Sequence, residues 1–280
     1  MNILNWGESM GVNMIVYQLV NEYKRFDEVL AITLTGSGAS GKNDFFYDID
    51  VDVILKDEID INSRREILKK FSDTIETNSG KYGEKDIFIL RNSTTQIDVS
   101  YYTLDTLKEN LFNVVDKCKA SVGYTTCLWK VVSGAFIAYD KENTFKNLQK
   151  RYRVAYPEKL KLNIIDKNYY ILRDSIASYY NQIDKAINRG DLISVSHKIC
   201  KFLDSYFDVV FAVNEMPHPG DKRLISIINS KCKKIPRLLS EGINTLIENS
   251  CTCDRSILRN MDEIVDDLKE FLIEEGIKVS

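Results

Sequence analysis

The pattern of apolar and polar positions divides the chain near residue 102. Before that point it mixes one helical repeat with several short runs; after it, helical repeats dominate. Over 8–25, Val12, Ile15, Val16, Leu19 and Val20 recur at three- and four-residue steps, which predicts an amphipathic helix. Residues 29–34 form a near-continuous apolar run with β-branched members. It is too short for a good helix and predicts a buried strand. Asp48–Leu55 opens with acid and aliphatic in alternation, a strong period-two signal for a strand with two unlike faces. Asn62 or Ser63 is placed to cap a helix running to about Thr77. Residues 86–90 and 95–102 read as two strands of a hairpin joined at Asn92-Ser93. A helix then starts at Thr103 or Asp105 and runs to about Val115, and a short strand is expected at 135–139.

Helical periodicity fills 143–153, 158–189, 192–214, 221–230, 236–249 and 256–275. Within the second of these, Ile171, Leu172, Ile176, Tyr179, Tyr180, Ile183 and Ile187 form one expected apolar face. Asn188-Arg-Gly190-Asp191 then stops that helix and caps the next. Leu258, Met261, Ile264, Val265, Leu268 and Leu272 make a second face, on a helix with an acidic back. The class expected is α+β: a small mixed-sheet domain over 1–140, then an α-helical bundle domain over 141–280. Neither an internal repeat nor a Pro- or Gly-rich linker interrupts this plan.

Composition narrows the chemistry. With 44% hydrophobic and 28% charged residues, the 280-residue chain can build an ordinary core. A net charge of −3 and a pI near 5.6 argue against general affinity for nucleic acid or anionic membrane. No apolar run reaches the roughly 18 residues of a membrane span. MNILNWGESM lacks the basic-then-apolar layout of a signal peptide. The six cysteines are scattered, with only Cys251 and Cys253 close together, a poor zinc signature; they read as reduced thiols of a cytoplasmic protein. Two histidines, His197 and His218, leave little room for histidine-based catalysis, so any catalysis falls to carboxylates. His218, between two prolines, reads as an ordinary loop residue.

The chemistry concentrates in 34–55, LTGSGASGKNDFFYDIDVDVIL. Residues two apart on a strand share a face, so Asp48, Asp50 and Asp52 point one way and Ile49, Val51 and Val53 the other. Closely spaced carboxylates repel unless a cation lies between them, and oxygen-only ligands suit Mg²⁺. Asp98, alternating with Ile97 and Val99, is the candidate third acid on a neighbouring strand. Gly36-Ser37, at the end of an apolar run, lets backbone N–H groups and a hydroxyl approach a phosphate closely. Lys42, in the glycine loop, and Lys222, in the loop after Pro217-His-Pro-Gly, are candidate phosphate-neutralising cations. Metal on one side and donors on the other suit in-line attack on a nucleoside triphosphate.

Gly36-Ser37 followed eleven residues later by Asp48-Ile-Asp50 resembles the signature of the DNA polymerase β-like nucleotidyltransferases. The length, the helical second half, and the stretches 97–105, 186–191 and 212–222 look most like the antibiotic (aminoglycoside and lincosamide) nucleotidyltransferases and their uncharacterised relatives. The resemblance implies that Asp48 and Asp50 hold Mg²⁺, with two ions allowed. It makes Gly36, Ser37 and Lys222 nucleotide-binding, beside the Lys42 candidate read from the loop, and Asp98 either a ligand or the base for the acceptor hydroxyl. Asp52 is then an extra acid, although a register using Asp50 and Asp52 is the rival pairing. It further implies an NTP and a small hydroxyl-bearing acceptor as substrates, and a homodimer. The alternatives are a protein AMPylase, a toxin–antitoxin nucleotidyltransferase, or a nucleotide-binding relative without catalysis. Many relatives carry arginine after Gly-Ser; Gly38 here implies looser phosphate binding or an altered nucleotide preference.

Overall fold

The computed structural model describes residues 10–35, 48–79 and 84–279. By contacts the chain divides into two compact units. One comprises residues 1–111 and 131–154, the other 112–130 and 155–280. The chain therefore passes between them at 111–112, 130–131 and 154–155.

The first unit is built on a six-stranded mixed sheet. Its strands are β1 (Val29–Thr35), β2 (Asp48–Leu55), β3 (Thr74–Glu76), β4 (Lys85–Ile89), β5 (Gln96–Thr103) and β6 (Phe136–Asp140), in the order β3-β4-β5-β2-β1-β6. Only the central β2–β5 pair is parallel; the other pairs are antiparallel. One sheet face is apolar. Ile32, Val51, Val53, Ile97 and Val99 are buried there with Leu19 and Tyr23 of α1 (Met10–Tyr23) and with Ile67 and Leu68 of α2 (Ile61–Leu68). Each such side chain contributes about 1.5–3 kcal/mol by leaving water.

A charged cluster is embedded in this apolar layer. Arg64 of α2 is buried, 3.4 Å from the Asp86 carboxylate, and pairs with Glu84. Its guanidinium lies 4.4 Å from the centroid of the Tyr101 ring. Tyr101 donates to Asp86 at 2.8 Å, and its hydroxyl meets that of Tyr23 at 2.6 Å.

Two features of this unit depart from expectation. The helix predicted from 62 to 77 ends at Leu68, and Thr74–Glu76 pairs with β4 as an edge strand. The switch is made by Ser72, whose hydroxyl accepts from the Thr74 amide and donates to the Ile89 carbonyl. The cap is Asp60 rather than Asn62 or Ser63: its carboxylate accepts from the amides of both. An aspartate two residues earlier reaches the exposed N–H groups that a residue inside the first turn cannot.

After α3 (Leu104–Leu111) the backbone widens into a π-helical turn at Phe112–Asp116. Next come α4 (Cys127–Gly134), which periodicity did not reveal, and α5 (Thr144–Tyr152), packed against β1 and β6.

The second unit is helical: α6 (Glu158–Leu172), α7 (Tyr179–Asn188), α8 (Leu192–Val213), α9 (Leu224–Lys231), α10 (Leu239–Asn249) and α11 (Ser256–Glu274). The end of α8 is buried without interruption from Ser205 to Val213, as befits its centre. The face expected on α11 is buried throughout. The single helix expected over 158–189 is instead two. Ser178 caps α7 by accepting from the Asn181 amide, and Ile176, in the break, is 92% exposed rather than part of a continuous face. Among the described residues no helix is long and apolar enough to cross a membrane.

Candidate functional site

The polar face of the sheet gathers the acids. β2 and β5 run parallel with Asp50 opposite Asp98 and Asp52 opposite Ser100. The two strands lie about 4.8 Å apart, so Asp50 and Asp98 occupy matching positions on neighbouring strands. Asp48 opens β2 opposite Gln96. The expected juxtaposition of strand acids is therefore present in the backbone register.

Each described carboxylate has its own surroundings. Asp98 is buried. Its Oδ2 lies 2.5 Å from Lys85 Nζ, and its Oδ1 accepts from Gln96 Nε2 at 2.7 Å. Lys85 reaches it because β4 pairs antiparallel with β5, Ile87 opposite Asp98 and Lys85 opposite Ser100. Lys85 is thus diagonal to Asp98 on one face. Asp52 is also buried and accepts from the Thr35 hydroxyl at 3.1 Å. Burial pushes its carboxyl up to about 7; the Thr35 bond opposes this, the Asp50 charge adds to it, and the Lys85 charge opposes it. Tyr102 rises to about 12, chiefly by burial and then by the Asp52 charge. Burial is thus the main cause of both shifts, with the neighbouring carboxylate charges adding to it.

The donor set is all oxygen, the set a hard divalent cation takes, and Asp50 and Asp98 stand in register. The residues thus fit Mg²⁺ in kind. Among the described residues no group of three or more His, Cys, Asp or Glu side chains is arranged to hold a metal ion. Gly36, Ser37 and Lys42 lie outside the described residues. Lys222 is exposed in the second unit, just before α9.

Sequence reasoning passed over Lys85, Gln96 and Thr35. The signal for Lys85 was available: a turn centred on Asn92-Ser93 pairs 87 with 98, which places 85 beside Asp98.

The second unit holds a buried polar cluster. Asp208 accepts from the Thr125 hydroxyl at 2.7 Å and from the Thr125 amide at 3.2 Å. Burial raises its carboxyl to about 6 against those bonds. His218 lies in a loop as expected but is fully buried between Tyr124 and Phe211, each ring centroid 4.9 Å away. Its Nδ1 accepts from the Gly220 amide at 3.2 Å and lies 3.4 Å from Cys127 Sγ. Burial lowers the imidazole to about 4 and raises the Cys127 thiol to about 12, so both are neutral near pH 7. This is a packed core pair, not an activated thiolate.

This region matches a family of unknown function. The family model is described as "Domain of unknown function (DUF4037)" and matches residues 124–223, a stretch that includes Thr125, Asp208, His218 and Lys222. No curated protein matches the chain. Two solved structures are similar to it. A nucleotidyltransferase-like protein from Exiguobacterium sibiricum is 13% identical, with 92% of this chain and 79% of that one covered at a TM-score of 0.42. The spectinomycin adenyltransferase of Enterococcus faecialis, solved with ATP and spectinomycin, is 12% identical, with 90% and 99% covered at a TM-score of 0.31. Scores this low carry no functional assignment; only the residues of the chain itself can.

Proposed function

We propose that this chain is a nucleotidyltransferase that moves a nucleoside monophosphate, AMP, from an NTP to a hydroxyl of a small molecule, an antibiotic being the class suggested by the sequence resemblance. The observation that carries this reading is the in-register pairing of Asp50 with Asp98 on adjacent parallel strands, downstream of Gly36-Ser37. Mg²⁺ held by Asp48 and Asp50 would neutralise the triphosphate and make its α-phosphorus more electrophilic. Asp98 takes the proton of the acceptor hydroxyl as its oxygen bonds to the α-phosphorus. The bond from that phosphorus to the bridging oxygen breaks, and pyrophosphate leaves. Gly36 and Ser37 bind the phosphates, and Lys42 offsets their charge.

The test is pyrophosphate release from ATP and Mg²⁺ across a panel of aminoglycosides and lincosamides. Asp50→Asn should abolish release. Asp98→Asn should lower it by about 10²–10⁴-fold, the usual contribution of a positioned base. Wild-type turnover in Asp50→Asn sinks the reading. A second reading, nucleotide binding without transfer, draws on the engagement of both Asp98 oxygens by Lys85 and Gln96. It predicts calorimetric binding of ATP and Mg²⁺ with no release in any mixture.

A further inference from the structure

The Lys85 ammonium stands 2.5 Å from Asp98 Oδ2, on the acidic face of the sheet. The Asp98 side chain is only 10% exposed, whereas Lys85 is 30% exposed, at the first position of β4. Asp98 is thus fixed from both sides, by Gln96 on the same strand and Lys85 on the next. A buried carboxylate facing other acids would be costly without a counter-charge. A lysine supplies that charge on a four-carbon stem with several rotatable bonds, so it can withdraw without moving the backbone.

We propose that Lys85 is a built-in stand-in for the metal's charge: it holds Asp98 until a divalent cation binds the neighbouring acids, and is then displaced so that Asp98 is free to act. The inference rests on the acidic site proposed above and names a positioning residue for it. Lys85 acts through Asp98 and touches no substrate in this role. Two cations drawn to one group of carboxylates are linked, so removing one strengthens the other reciprocally. The site is then preassembled without metal, and metal loading is an exchange of charges rather than the filling of a repulsive cage.

Lys85→Met and Lys85→Gln test this with Mn²⁺ alone as the probe, by calorimetry and by thermal melting of the whole chain. Both variants should melt below wild type without metal and regain most of the loss in Mn²⁺. Their Mn²⁺ affinity should exceed wild type by about tenfold, within the usual range of such couplings. Lys85→Arg should behave as wild type. In an Asp98→Asn background, Lys85→Met should leave Mn²⁺ affinity unchanged. Destabilisation that Mn²⁺ does not repair, or equal Mn²⁺ affinity in wild type and both variants, overturns the proposal and leaves Lys85 a structural ion pair. Pyrophosphate release by the wild-type protein, run alongside, reports on the transferase reading separately. Release with unchanged metal affinities removes only the role of Lys85; absent metal binding in every variant removes both.

Discussion

At the scale of single residues, His218 makes a prediction independent of any catalytic role. Its imidazole falls from an ordinary value near 6.5 to about 4 in the folded chain because it is buried. The unfolded chain therefore binds the extra proton first. The neutral ring's contribution is fully present above about pH 6.5 and is lost as pH falls through 4, by no more than roughly 3 kcal/mol. Asp208 has the opposite sign. Its carboxyl is raised to about 6, so it favours folding below the ordinary carboxylate range and loses that advantage as pH rises through 6. The wild-type profile mixes the two, and the informative quantity is a difference. Urea midpoints of wild type and His218→Gln should diverge as pH rises from 4 to 6.5. A constant gap would show that the imidazole does not titrate as the structure requires.

Secondary-structure elements show what the sequence could and could not convey. β2 was legible to the residue because acid and aliphatic alternate strictly over 48–53 and the apolar run ends at Leu55. α8 and α11 were legible because their apolar faces are long. β3 was not: three residues carry no period, and the helical pattern of 62–68 ran on past Ser72 for want of a proline or glycine. The 158–189 segment was misread because Ile176 happens to fall in phase with the helices on either side. Asp98 is singled out by alternation alone. Lys85 needed pairing between strands, which alternation within one strand does not contain. β4 shows why parity matters. Lys85 and Asp86 are adjacent but serve opposite faces, one pairing with Asp98 and the other with Arg64. A one-residue insertion within β4 would exchange the two charges and place each against the wrong layer. Arg64→Met should cost about 3–5 kcal/mol by leaving Asp86 buried and unpaired, and adding Asp86→Leu should recover much of that. Urea unfolding of the two variants measures it. At the N-terminus of α2, Asp60→Ala should cost about 1 kcal/mol, the usual worth of a helix cap.

For the whole molecule, the division into units constrains how the chain can be cut. The sheet of the first unit is complete only with β6, and Phe145, Leu148 and Tyr152 of α5 belong to its buried set. A fragment ending at residue 111 would lack all of these and expose the edge of β1. It should not fold as a monomer, which circular dichroism and size-exclusion chromatography would show directly; a cooperative, monomeric 1–111 fragment would contradict the division. The same route matters while the chain is being made. A ribosome delivers Thr125 long before its partner Asp208, 83 residues later. Residues 112–130 emerge after most of the first unit but before the helices with which they belong. They must wait, unpacked, while 131–154 returns to close the sheet. The late helices thus complete a unit one of whose segments is already joined in sequence, at 111–112 and at 130–131, to the first.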